Sequence, residues 1–416
     1  MLRYATCACL VAWIPALSVS GCDRPAPEPR PAEPQTVGVT IRDSAGIEIV
    51  ENHAPVWSDG DFWTVDPEPE IVLGGLWNVF RVVPLSDGRV VMLTPDEDTK
   101  VLVFEPSGRL SASFGRTGQG PGEFNYPLHL QVLQGDTIVV WDRMFGPVSY
   151  FDPSGKLLRE RRIDFGALVA ATRTGDQRPG ESVHWPLPDG SFLIDAVPSD
   201  WQPPAEPGQI YRRPSGYVRI DSAYSAHSFG WWDGRERVSS GRENLPSHVP
   251  FPAQAMTVAG GDPPSVYVTN GDRYEVHQFS VSGVLRRILR RTVDPIAFTD
   301  DEYEEWKETV QAWNPHRDWS QWERVMGEQS RRYHPAIRNF WVDSEGLLWI
   351  NDRLNRQLGT TEWSIFGAQG RWLGTVSLPG AGIYWVGEDF ILGGQVDFDT
   401  GLQTVERYRL DRRGRP

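Results

Sequence analysis

The chain has 416 residues, enough for a single large all-β ring, and Asp and Glu outnumber Lys and Arg by 55 to 41, a formal net charge of −14. Sequence-blind binding to a phosphate backbone depends on net positive surface, so no nucleic-acid partner is expected. With 39% hydrophobic residues, 18 Trp, 41 Gly and 34 Pro, the composition excludes disordered and collagen-like chains and suits many short strands joined by tight turns.

Arg3 precedes a mostly apolar stretch from Ala5 to Val19, which closes on Ser20-Gly21-Cys22. The stretch is too short for a stable spanning helix, and small residues before the Cys suit a signal peptidase. Residues 1–21 are therefore expected to be a lipoprotein signal, with Cys22 as the acylated residue because its thiol takes the lipid. Residues 22–39 add a Pro-rich tether, with Pro25, Pro27, Pro29, Pro31 and Pro34. The expected location is the bacterial cell envelope, lipid-anchored and facing the periplasm or the cell exterior. Cys7, Cys9 and Cys22 are the three cysteines, so residues 40–416 hold no disulfide, no Cys-ligated zinc and no Cys nucleophile.

Two repeats organise the remainder. The first is an aromatic followed four residues later by Gly: Phe104 and Gly108, Phe151 and Gly155, Phe279 and Gly283, Phe366 and Gly370. The Phe ends an inward-facing strand, and the Gly supplies the positive φ of a tight turn. The second is a turn followed by a β-rich run, starting at Val90, Ile138, Phe192, Val266, Leu347 and Phe390. Most intervals match one four-stranded propeller blade, and two are longer. The predicted fold is all-β: a six-bladed β-propeller of four-stranded antiparallel blades over residues 40–416, with insertions near 199–252 and 299–332.

The second insertion, before the last full blade, is predicted to be helical. Thr299 and Glu302 form a capping box, and Tyr303, Trp306, Val310 and Trp313 share one face. Either it caps the structure or it acts as a lid over the central channel. The strands Gly46 to Val50 and Phe62 to Val65 are expected to join Phe390 to Gly393 and Val405 to Leu410 in one blade, closing the ring and removing exposed edges.

The run from Phe114 to Phe124, FGRTGQGPGEF, resembles the NHL pattern of spaced glycines ending in Gly-x-Phe. Further support comes from Arg42 to Ile47 and from Trp363 to Phe366 with Gly370 to Gly374. On these residues the chain resembles the bacterial six-bladed propeller lipoproteins of the NHL-like type, over roughly residues 40 to 412. The blade around Phe192 to Phe229 departs most from the repeat. The resemblance speaks for the fold, since propellers host unrelated activities.

Gly118-x-Gly120-x-Gly122 lacks the Lys-Ser/Thr of a phosphate loop and reads as a crossing between blades, with Phe124 as its plug. The polar residues after the β-rich runs are more suggestive. Asp142, Asp195, Asn270 and Asn351 would converge on one channel mouth if those runs were innermost, and would then hold a divalent cation such as calcium. Alternatively, each satisfies backbone N–H groups in its own turn. Trp231, Trp232, Trp313 and Arg235 fall in the insertions and are the residue types that dominate binding surfaces.

No HExxH spacing and no GxSxG elbow occurs. The favoured reading is a monomeric binding or scaffold module for an envelope protein, peptide or glycan, with no catalysis and no certain cofactor. The resemblance implies an alternative, a cation-dependent hydrolase or lyase of the lactonase type, with the metal as Lewis acid or water activator. A purely structural envelope protein is the third class.

Overall fold

The computed structural model describes residues 38–58, 61–142, 146–172, 177–187, 189–239, 249–313, 333–355, 359–380, 382–397 and 400–412. The signal, Cys22 and most of the tether lie outside them. Among the described residues no helix is long and apolar enough to cross a membrane.

The strands form six sheets. Blade 1 holds Arg81–Pro84, Val90–Leu93, Thr99–Phe104 and Leu110–Arg116, and blade 2 holds Pro127–Leu133, Thr137–Asp142, Val148–Phe151 and Leu157–Arg161. Blade 3 holds Gln177–Pro186, Phe192–Pro198, Ile210–Ile220 and Ala226–Val238, and blade 4 holds Met256–Gly260, Ser265–Thr269, Glu275–Ser280 and Leu285–Arg291. Blade 5 holds Asn339–Val342, Leu348–Asn355, Thr360–Phe366 and Trp372–Pro379. Blade 6 takes Gly382–Val386, Phe390–Val396 and Gln403–Asp411 from the C-terminus and its outer edge from the N-terminus, where Ile71–Leu76 and Thr64–Val65 both pair with Gln403–Asp411. The protein is a six-bladed β-propeller whose ring closes through its own two ends.

Each blade is buried on both faces, so its second strand is a continuous apolar run, as in Val90-Val91-Met92-Leu93. Alternate residues then serve opposite neighbours. Val90 and Met92 pack with Leu392 and Val405 of blade 6, whereas Val91 and Leu93 pack with Leu130 and Ile138 of blade 2. Six such clusters, one between each pair of adjacent blades, replace a single central core.

The Phe-to-Gly hairpin joins the third and fourth strands of blades 1, 2, 4 and 5. In all four the register shifts just before the Phe, and the Gly sits at φ between 75° and 87°. Blade 3 lacks the signature because Tyr224, at φ 62°, takes the turn position. The NHL-like run crosses between blades as expected. Phe124 is fully buried among residues of blades 1 and 2, and the Glu123 carboxylate accepts from Gly120 N at 2.9 Å and from Arg116 at 2.6 Å. That backbone donation, reinforced by Arg116, holds the Glu123 carboxyl below its ordinary range.

One expectation needs correction, and one element was not expected. The strand Ile47–Asn52 does not help close the ring; it adds in parallel to Leu285–Arg291 at the outer edge of blade 4, with Val39–Ser44 beyond it. Charge complementarity explains the choice, because Glu48 pairs with Arg287 and Glu51 meets Arg290 at 3.6 Å. The buried Asn52 side chain then donates to Gly370 O and accepts from Trp372 N, locking the hairpin to blade 5. A helix at Phe165–Thr172, before blade 3, was also unforeseen. Its eight residues show no amphipathic period, and its start is set by the Asp164 carboxylate accepting from Ala167 N.

The helix Asp300–Trp313 forms with the capping box intact: Glu302 accepts from Thr299 N at 2.8 Å, and Thr299 Oγ1 from Glu302 N at 3.1 Å. Tyr303 and Trp306 pack on Val238 and Val249, so the helix braces the long third-to-fourth hairpin of blade 3.

Candidate functional site in the central channel

The first strand of each blade lies innermost, and those of blades 6, 1, 2, 3, 4 and 5 touch in turn around the ring. The N-terminal ends of five of them, together with Tyr217 from the third strand of blade 3, surround a cavity of about 540 Å³. Phe80 and Arg81 enter it from blade 1, Leu128 and His129 from blade 2, Tyr217 from blade 3, Gln254 to Thr257 from blade 4, Asn339 to Trp341 from blade 5, and Ile383 and Tyr384 from blade 6. Strands alternate in direction, so the ends of the second and fourth strands share this face. The described parts of both insertions therefore stand on the same face as the cavity, since 199–209 follows the second strand of blade 3, and 292–313 and 333–338 lie between the fourth strand of blade 4 and the first of blade 5.

The chemistry of the wall is aromatic and basic. Phe80, Phe340, Trp341, Tyr217 and Tyr384 supply rings, and Arg81 and His129 are the titratable nitrogens; no Asp or Glu is among the described lining residues. Burial pulls the Arg81 guanidinium down to about 10, which leaves it a cation at neutral pH. Burial also pushes the Tyr384 hydroxyl up to about 12, and that hydroxyl donates to Val79 O at 3.1 Å. Tyr217 is raised further, by burial and by the neighbouring Asp195 carboxylate, and so remains a donor.

The four residues expected to hold a cation are not assembled for it. The β-rich runs are second strands, one layer out from the channel, and none of the four lines the cavity. Both Asp142 oxygens accept backbone N–H groups, from Asn125 at 2.8 Å and Tyr126 at 2.7 Å, which pins the crossing from blade 1 to blade 2. Asn270 Oδ1 accepts from Asp233 N at 2.8 Å. Asn351 is buried opposite Asn339 in register. Asp195 fills the space over Gly180, where a Cβ would fall 2.0 Å from its carboxylate. Among the described residues no group of three or more His, Cys, Asp and Glu is placed to hold a metal ion. The donor set does not fit a divalent cation such as calcium. Asp142→Ala is expected to cost about 1–3 kcal/mol of stability by orphaning two N–H groups, with Asp142→Asn losing less, as read by urea unfolding.

The insertion residues divide. Trp231 is 50% exposed and lies over Gly216 of the adjacent strand, and Arg235 is exposed on the same strand. Trp232 is not a free binding residue: its ring meets His277 edge-on at 4.9 Å and its Nε1 donates to Phe229 O, so it packs blade 3 against blade 4. Consecutive strand residues point to opposite faces, which is why the pair separates. Trp313 ends its helix, and its side chain lies outside the described residues, as do Trp319 and Trp322.

A second cavity, of about 700 Å³, lies between blades 4 and 5 beside the stems of the helical insertion. Its floor is self-satisfied. Asp352 accepts from Tyr274 at 2.6 Å, from Arg291 at 2.5 Å and from Ser364 at 2.6 Å, and the Arg291 guanidinium lies 3.7 Å from the centre of the Trp372 ring. Although larger, this cleft draws on two blades, whereas the channel gathers residues from six.

Sequence reading missed the channel residues because first strands are short and carry mixed residues, overshadowed by the apolar runs that follow them. A signal was present: the strand preceding each turn must be the innermost one once the turn-and-run repeat is set. The family comparison agrees on the fold. The family DUF5128, 6-bladed beta-propeller, has a model that matches residues 80–177. Solved structures similar to the chain include a Bacteroides fragilis protein described as exported, with 14% identity over 87% of this chain and 98% of that one and a TM-score of 0.43. A member of the DUF4221 family from Bacteroides vulgatus has 8% identity over 84% and 99%, with a TM-score of 0.42. A gluconolactonase from Xanthomonas campestris has 14% identity over 81% and 89%, with a TM-score of 0.38. At these values the likenesses carry no weight for function. No curated protein matches the chain.

Proposed function

We propose that the protein is a lipid-anchored, extracytoplasmic propeller of the NHL-like type that binds an envelope peptide or glycan in its central channel. The observation that carries this reading is the convergence of Phe80, Arg81, His129, Tyr217, Trp341 and Tyr384, from five of the six blades, on one cavity of about 540 Å³. That size lies within the roughly 300–1,000 Å³ typical of small-molecule sites, and the wall mixes aromatic rings with polar and basic side chains. The fourth strand of blade 3, not an insertion as expected, carries the exposed Trp231 and Arg235 at its edge.

The test is retention of material from an envelope extract by the full-length protein in detergent. Trp341→Ala is expected to lower retention tenfold or more and Trp231→Ala to leave it within twofold. The reverse order would move the site to the outer strand of blade 3.

The anchor has its own test. The apolar stretch ending at Ser20-Gly21-Cys22 supports lipidation, and the −14 charge gives no attraction to anionic lipid, so the acyl chains must do the anchoring. Cys22→Ala is expected to move the protein from the membrane fraction to the soluble fraction. Continued sedimentation of that variant with membranes would contradict lipidation.

A further inference from the structure

We propose that the cleft between blades 2 and 3 is a second binding site, separate from the channel, for a small amphipathic carboxylate. Its cavity of about 270 Å³ shares no described lining residue with the channel cavity. Alternate residues of a strand share a face, so the register of blade 2 lays two rows of side chains across the face that packs on blade 3. Gln131, Val139, Tyr150 and Arg159 stand opposite one another in one row, and Trp141, Val148 and Arg161 in the next. Both rows end in an arginine on the outer strand, with the valines on the strands further in and Leu187 of the blade 3 turn also lining the cavity. The cleft is therefore cationic at its outer end and apolar within.

The positive charge there has no carboxylate of its own. Acids outnumber bases by 55 to 41 in the chain, yet among the described residues neither Arg159 nor Arg161 forms an ion pair. The Arg159 guanidinium lies 3.8 Å from the centre of the Tyr150 ring, a contact made through its charge that leaves its N–H donors unbonded. Asp189 is the one carboxylate among the described lining residues, and it is already engaged: it accepts from Ser191 N at 2.9 Å, from Ser191 Oγ at 2.5 Å and from Arg219 at 2.7 Å. Hydrogen-bonding capacity is also unspent further in, where Trp141, 6% exposed, lines the cavity and its Nε1 is buried without a partner among the described residues. A guanidinium fork matches a carboxylate with two parallel hydrogen bonds, and Val139, Val148 and Leu187 offer the apolar part of the same ligand a dry surface.

The experiment is isothermal titration of the full-length protein in neutral detergent with hexanoate, hexanamide, hexylamine, acetate and inorganic phosphate, at low and high NaCl. Hexanoate is expected to bind at least tenfold more tightly than hexanamide, acetate or phosphate, and to weaken as salt rises. Arg161→Gln is expected to lower hexanoate affinity at least fivefold and to leave hexanamide within twofold. Arg109→Gln, which removes an exposed charge from the hairpin of blade 1, is expected to leave hexanoate within twofold. Equal binding of hexanoate and hexanamide, or tighter binding of hexylamine, overturns the inference. Acetate or phosphate binding as tightly as hexanoate removes the apolar half of the ligand and overturns it as well. No binding of hexanoate at either salt does the same, and the wild-type comparison decides this even if Arg161→Gln does not fold. Hexanoate binding that is indifferent to both Arg159→Gln and Arg161→Gln, or weakened equally by Arg109→Gln, overturns the cleft as the site and leaves the channel reading standing.

Discussion

Gly155→Ala is expected to destabilise the protein by about 2–5 kcal/mol, from a left-handed backbone cost of about 1–2 and an overpacking cost of about 1–3. Gly155 sits at φ 87°, and a Cβ there would fall 2.5 Å from Phe114 Cδ1, 2.9 Å from Cγ and 3.1 Å from Cβ. Those atoms are the root of the ring, not a flexible tip, and Phe114 is itself held against Phe151 with ring centroids 4.7 Å apart. Neither side can yield cheaply. Gly190→Ala is the control: φ is 79° with nothing within 4 Å of the added Cβ, so only the backbone cost of about 1–2 kcal/mol remains. Urea unfolding followed by Trp fluorescence reads both. Equal losses would mean that the hairpin Gly serves its turn alone and not the contact between blades.

Phe124→Ala is expected to cost about 3–5 kcal/mol, the range for emptying a buried aromatic site. The ring is fully buried in the cluster between blades 1 and 2, and Gly115 provides its socket, since a Cβ there would come 2.7 Å from the ring. The loop is pinned on both sides of the ring. Phe124 N donates to Arg116 O at 3.0 Å and Gly118 N donates to Phe124 O at 3.1 Å, so the backbone is held from collapsing into the cavity. The upper half of the range is therefore expected, with Phe124→Leu losing much less. A loss below 1 kcal/mol would show that this crossing is not a structural joint.

Both residues were legible in the sequence, Gly155 as a turn glycine and Phe124 as the plug of the glycine run. What could not be read is the second duty of the glycine, because Phe114 comes from the preceding blade and only the ring brings it there. The same limit applies to the hairpins generally. Gly370 meets Arg287 and Leu289 of blade 4, and Gly283 meets the backbone of Ser228 in blade 3.

The six-bladed fold was readable because turns and apolar runs recur along the chain at local spacing. The partner of Ile47–Asn52 was not, since its place beside Leu285–Arg291 depends on matching Glu48 and Glu51 to arginines far along the chain. Nor was the channel wall. The runs that catch the eye lie one layer out, and Asp142 and Asn270 follow them in order to hold backbone N–H groups. As the alternative expected, these residues satisfy backbone N–H groups, but those of the blade 1–2 crossing and of Asp233 in blade 3 and not those of their own turns. Asp195 reaches inward only because Gly180 of the innermost strand has no side chain, and a lone Gly does not announce that.

The central claim is that the ligand is held by the innermost strands of separate blades. Hydrogen–deuterium exchange with and without the envelope-extract material that the protein retains tests it most directly. The account expects slowed exchange at Phe80–Arg81, Leu128–His129, Asn339–Trp341 and Ile383–Tyr384 together, segments far apart in sequence that line one cavity. Protection confined to 226–238 and 300–313, with those four segments unchanged, would contradict it and place binding on the outer strand of blade 3 and the helical insertion.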